Sequence, residues 1–104
     1  MDVCVALVTV PNIDVARNVA NALVEARVAA CVNIVPGVES IYRWEGKMCA
    51  DAELLLIAKV RTSRASEVIK VVEENHPYSC PEVLFLEIRD GRAQYLDWVR
   101  TETK

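Results

Sequence analysis

From Ala29 to about Trp44 the chain keeps a strand-like pattern for far longer than the roughly 5 or 6 residues of a usual strand. Pro36-Gly37 in its middle reads as a bulge or bend rather than an end. A turn around Glu45-Gly46-Lys47 follows, and Glu53 to Arg61 resumes as a strand. Period 2 puts Leu54, Leu56, Ala58 and Val60 on one face of it and Glu53, Leu55, Ile57, Lys59 and Arg61 on the other. Two such runs in succession predict a long hairpin that projects past shorter outer strands. A projecting ladder leaves backbone groups and apolar side chains without partners, and a cyclic homo-oligomer is the usual way to supply them. The expectation is assembly through strands shared between subunits.

The flanking segments complete the fold class. Val3 to Val10 is a β-branched apolar run closed by Pro11-Asn12, a buried strand followed by a helix that Asn12 caps. Ala16, Val19, Ala20 and Leu23 then fall at helical spacing, with Asp14, Arg17, Asn18, Asn21 and Glu25 opposite. Thr62 or Ser63 is positioned to cap a second helix with Ala65, Val68, Ile69 and Val72 on its apolar side, ending before His76-Pro77. Val83 to Ile88 reads as a last strand broken by Asp90-Gly91, and Tyr95, Trp98 and Val99 form the stripe of a short C-terminal helix. The order β-α-β-β-α-β plus a terminal helix predicts an α+β, ferredoxin-like antiparallel sheet, with residues 1–104 as one domain.

Composition narrows the function classes. Hydrophobic residues at 53% supply a core, and a net charge of -3 argues against the phosphate attraction on which nucleic-acid binders rely. The N-terminus lacks a signal-peptide pattern and no apolar run approaches the about 20 residues of a membrane span, so a cytoplasmic protein without membrane partners is expected. The four cysteines show no C-x-x-C spacing, so neither a structural zinc site nor a redox dithiol is indicated. Cys4 and Cys31 lie in apolar runs and read as small buried hydrophobes, whereas Cys49 and Cys80 sit among polar or turn residues and should be reachable.

The segment His76-Pro77-Tyr78-Ser79-Cys80-Pro81-Glu82 gathers the only histidine, a thiol, a phenol and a carboxylate between stiffening prolines. His76 is a candidate ligand for a transition metal, with Cys80 or Glu82 as co-ligands; the competing reading is a hydrogen-bonded loop histidine. Ser40, Tyr42 and Trp44 share one strand face and suit either a cleft wall or an interface. Lys59, beside an apolar run, requires an anion, either a carboxylate such as Glu82 or a bound ligand. No G-x-S-x-G, Walker A or G-x-G-x-x-G pattern occurs and no second histidine completes a relay, so no enzymatic activity is expected. Acylphosphatases share the fold class, but Pro11-Asn12-Ile13 stands where they carry an arginine-bearing glycine loop.

Four ordered motifs, Ala29-Ala30-Cys31-Val32-Asn33-Ile34-Val35-Pro36-Gly37, Ser40-x-Tyr42-x-Trp44-x-Gly46-Lys47, His76-Pro77-Tyr78-x-x-Pro81-Glu82 and Tyr95-x-x-Trp98, together resemble the CutA divalent-cation tolerance family over nearly the whole chain. The resemblance implies a PII-like homotrimer, cytoplasmic in bacteria and archaea, linked to tolerance of copper and other divalent ions. It further implies that Tyr42, Trp44, Lys59, His76, Tyr78, Glu82 and Trp98 line or support clefts between subunits. Some members bind copper through a cysteine near the end of the first strand and paired histidines before the Pro-Tyr; this chain has Val8 in that first region and Asn75 beside His76. It also has Lys59-Val60 where a Lys-Thr is usual. The leading expectation is therefore a trimer with no obligatory cofactor that binds copper or another divalent metal weakly through His76. The alternatives are a regulator holding a small anion on Lys59 between Tyr42 and Trp44, and a stable scaffold whose clefts are only interfaces.

Overall fold

The computed structural model describes residues 2–104. Strand β1 (Val3–Val10) leads to helix α1 (Ile13–Glu25), then to strands β2 (Ala29–Trp44) and β3 (Lys47–Arg61). Helix α2 (Ala65–Asn75), strand β4 (Val83–Glu87) and helix α3 (Ala93–Glu102) follow. All pairings are antiparallel and the sheet order is β2-β3-β1-β4, the ferredoxin-like α+β arrangement.

The core is one face of the sheet against two helices. Cys4, Ala6, Val8 and Val10 of β1 pair across to Val60, Ala58, Leu56 and Leu54 of β3, and all but the partly covered Leu54 are buried beneath Ala16, Val19 and Leu23 of α1 and Val68 and Val72 of α2. Asn12 caps α1 as its sequence predicts, its Oδ1 accepting from Val15 N at 2.9 Å. At the other end Arg27 takes a left-handed φ of 59° in place of the usual glycine, and the Arg27 and Val28 amides return to Val24 and Leu23 in a Schellman arrangement. The tolerated strain has a visible counterpart: the Arg27 guanidinium donates to the Thr101 and Glu102 carbonyls at the end of α3, each at 3.2 Å.

Four expectations need correction. Strand β3 begins at Lys47, not Glu53, because the hairpin turn is tight, with φ of 49° at Glu45 and 78° at Gly46, and brings Trp44 directly opposite Lys47. Helix α2 is preceded by a 3-10 turn (Thr62–Arg64) and has no side-chain cap, so neither Thr62 nor Ser63 caps it. Cys31 is only half-buried, since it lies on the sheet face away from α1 and α2. On α3 only Val99 is buried; Tyr95 and Trp98 stay 40% and 42% exposed.

The predicted bulge at Pro36-Gly37 is present, with the register stepping from Val35↔Leu55 to Val38↔Glu53. Beyond it, β2 and β3 form a two-stranded ribbon, because β1 pairs with β3 only from Leu54 onward. The ribbon stretches the molecule to 44 × 25 × 23 Å. The second sheet face is covered at one end by α3 and otherwise open, leaving Val35, Leu84 and Leu86 exposed there.

Candidate functional site

Where the ribbon leaves the sheet, the loop between α2 and β4 folds against it. His76 fixes that loop. Its Nε2 lies 2.8 Å from the Thr9 carbonyl and its Nδ1 accepts the Tyr78 amide at 3.2 Å, so Nε2 carries the proton and the ring is a neutral bridge. The pairing of β1 with β4 stops at Val8↔Val83, and His76 takes the next carbonyl beyond it. With the backbone held there, the Tyr78 ring packs 4.6 Å from the imidazole and its hydroxyl donates to Glu53 Oε2 at 3.0 Å.

These contacts frame a cleft of about 530 Å³ between ribbon and loop. Ser40, Ile41, Tyr42 and Trp44 of β2 form one wall, Tyr78, Ser79, Cys80 and Glu82 the other, and Thr9 and Glu53 complete the lining. Glu53 is only 8% exposed. Across the ribbon, the Tyr42 hydroxyl donates to the Asp51 carboxylate. That hydrogen bond, more than burial, pushes the Tyr42 phenol up to about 12. Burial first, then the bond to Glu53, pushes the Tyr78 phenol up to about 12 as well. Both rings therefore stay neutral donors at physiological pH, facing carboxylates.

Four of the sequence candidates, Tyr42, Trp44, Tyr78 and Glu82, thus meet in one cleft. The other three do not line it within the chain. His76 stands behind it, buried, with both ring nitrogens occupied, so a metal would have to displace Thr9 or Tyr78. Lys59 stands directly opposite Cys31 on the open sheet face, donating to Asn33 Oδ1 and lying 3.7 Å from Cys31 Sγ, so a neutral amide oxygen and a thiol stand where an anion was expected. Trp98 stacks on Tyr95 at 5.5 Å on the surface of α3. An anion held jointly by Lys59, Tyr42 and Trp44 is therefore not assembled by a single chain. Sequence reasoning missed Glu53 as a cleft residue, although extending the alternation from Ile57 through Leu55 leaves a lone carboxylate at the end of an apolar face. Among the described residues no group of three or more His, Cys, Asp or Glu side chains is placed to hold a metal ion.

The architecture defines a class: a ferredoxin-like α+β unit whose central hairpin is drawn out into a ribbon with an aromatic, acidic cleft at its base. Residues 4–102 match the CutA1 divalent ion tolerance protein family, and the chain belongs to it. It is 52% identical over 99 residues to the divalent-cation tolerance protein CutA of Thermus thermophilus, covering 95% of this chain and 96% of that protein. The solved structure of the Thermus thermophilus divalent cation tolerance protein superposes with a TM-score of 0.96 at 50% identity, covering 98% of this chain and 99% of the other. Identity to the chloroplastic protein CutA of Arabidopsis thaliana is 47% over 96% of this chain, which spans 55% of that longer protein.

Proposed function

We propose that this protein acts in divalent-cation tolerance as a non-catalytic homotrimer whose clefts hold copper or another divalent cation weakly. The observation that carries the reading is the charge of the cleft: Glu53 and Glu82 line it, and among the described residues of the chain no lysine, arginine or histidine does. The carboxylates of Glu53 and Glu82 attract a cation into the cleft, and because no three His, Cys, Asp or Glu side chains among the described residues converge on one point, the binding is weak. The metal is cargo in this reading, and His76 supports the loop that shapes the cleft.

Self-association is supported by what the single chain leaves open. Its accessible surface is 6433 Å², against about 5800 Å² for a compact folded monomer of this mass. Leu84 and Leu86 are 54% and 55% exposed on a sheet face, and Ile41 and Met48 are 67% and 66% exposed on the ribbon. A second copy covering these groups removes apolar surface and open strand edges together. The stoichiometry of three is what the family resemblance implies.

Native mass spectra before and after addition of Cu(II) test the reading, using wild type, Glu53→Gln, Glu82→Gln and His76→Ala. The expected result is a trimer with integral copper uptake that falls in both glutamine variants. Uptake abolished only by His76→Ala moves the metal from the two carboxylates to the histidine or to the loop it holds in place, and no uptake by wild type removes metal binding altogether.

A further inference from the structure

The end of the sheet away from the ribbon carries a second cavity. Arg61 closes β3 opposite Val3, seven residues along the strand from Leu54, where the ribbon leaves the sheet. At about 3.3 Å per residue the two ends lie roughly 23 Å apart. Here the 3-10 turn (Thr62–Arg64) and the C-terminal end of α3 enclose about 550 Å³. The charged side chains of its lining are all of one sign. Arg61, Arg64, Arg100 and Lys104 are four of the chain's 12 lysines and arginines, gathered in one place although the net charge is -3. Ser63, Thr101 and Thr103 supply the rest, so among the described residues no aromatic or aliphatic side chain lines it. All these walls belong to one chain. Its own α3 covers this end of the open sheet face, with Arg61 Nη2 donating to the Arg100 carbonyl at 2.7 Å and Nε to Thr103 Oγ1 at 3.2 Å. The groups for which a second copy is proposed, Ile41, Met48, Leu84 and Leu86, take no part in the cavity.

The four cations are not equally committed. Arg100 is held by Asp2 at 2.6 Å and by Asp97 at 2.7 Å, and serves as a wall. Among the described residues neither Arg61 nor Lys104 has a carboxylate partner. Arg64 pairs through Nη2 with the exposed Glu67 at 2.7 Å, a surface contact of small worth, while its Nε is buried without an acceptor. An orphaned buried donor is destabilising, and a turn of the side chain away from Glu67 would offer Nε and Nη2 together to one oxyanion. A single carboxylate brings one charge and two oxygens, fewer than three uncommitted cations can use. Phosphate oxygens accept several charge-assisted bonds at once. With no ring in the lining, a nucleobase has nothing to stack on, so the phosphates would be recognised rather than a base. The volume is within the range of small-molecule sites. We infer that this pocket binds a compact polyphosphate, its adjacent phosphates held between Arg61, Arg64 and Lys104 with the exposed Ser63 hydroxyl beside them.

Isothermal titration of inorganic pyrophosphate into the full chain in its native assembly, freed of metal by a chelator and at constant ionic strength, tests the inference. Pyrophosphate is expected to bind, and sulfate at least about tenfold more weakly. Arg64→Gln should weaken pyrophosphate at least about tenfold. Lys104→Gln, at an exposed residue, should weaken it several-fold and leave thermal unfolding unchanged. Glu67→Gln frees Arg64 from its ion pair and should tighten binding several-fold, a direction that a merely structural role for Arg64 does not produce. ADP separates the sources of this chemistry: binding of both supports a diphosphate group wherever it is carried, and binding of pyrophosphate alone supports the free ion. No binding of pyrophosphate, sulfate bound equally well, or affinity unchanged in both Arg64→Gln and Lys104→Gln overturns the inference.

Discussion

Replacing His76 with alanine should release the loop that forms one wall of the cleft, and the size of the effect follows from what the imidazole does. The substitution removes the bond from Nε2 to the Thr9 carbonyl at 2.8 Å and the bond from the Tyr78 amide to Nδ1 at 3.2 Å. It also leaves a hole beside a ring packed at 4.6 Å. Each lost bond is worth about 0.5–1.5 kcal/mol, and stranding the Thr9 carbonyl adds to that, so local opening should become easier by about 2–4 kcal/mol. In amide hydrogen exchange limited by local opening, this speeds exchange at Tyr78 roughly 30- to 1000-fold, while the amides of Leu56 and Ala58 in the core change far less. His76→Gln can donate to Thr9 again and should recover about half of the loss. Tyr78 exchange that is unaltered in His76→Ala would refute the latch. A consequence follows for metal experiments: loss of copper in His76→Ala does not by itself mark the imidazole as a ligand, because the wall carrying Cys80 and Glu82 has been loosened as well.

Leu56→Ala, at a position with 0% exposure in the centre of β3, should cost about 2–5 kcal/mol in denaturant unfolding at fixed protein concentration. Arg27→Ala loses the guanidinium bonds to Thr101 and Glu102 and keeps the left-handed strain, whereas Arg27→Gly loses the bonds and relieves the strain; the glycine variant should be the more stable of the two by about 1 kcal/mol in thermal unfolding. For Tyr42 and Tyr78 the folded pKa of about 12 lies above the ordinary value of 10, so their contribution to stability is intact below pH 10 and is lost between pH 10 and 12. Absorbance titration near 295 nm should show these phenols ionising well above those of the unfolded chain, and titration of the folded protein in a single step at 10 would contradict the phenol-carboxylate bonds.

Much of this was legible in the chain because period and turn chemistry agree. Asn12 caps α1, the apolar spacing of Ala16, Val19 and Leu23 places the helix on the sheet, and Pro36-Gly37 marks the bulge rather than an end. The first half of β3 was not legible: Lys47 to Ala52 pair only with β2 and bury no consistent face, so no alternation reveals them. The cleft was legible in Tyr42, Trp44, Tyr78 and Glu82, whose positions follow from strand period and the proline-bracketed loop. Local pattern does not say which groups the fold satisfies. Thus His76 reads as a ligand until Thr9 and Tyr78 occupy it, Lys59 reads as an anion site until Asn33 meets it, and Glu53 reads as a surface charge until Tyr78 covers it.

Completion of the projecting ribbon and the open sheet face by copies of the same chain, as proposed above, is open to direct measurement. Sedimentation equilibrium of the purified protein over micromolar to tens of micromolar concentration measures this directly. The account predicts one species at three times the 11.6 kDa chain mass, shifted towards the monomer when Leu84 and Leu86, both on the open face, are replaced by glutamate. A wild-type protein that sediments as a monomer throughout that range would contradict it.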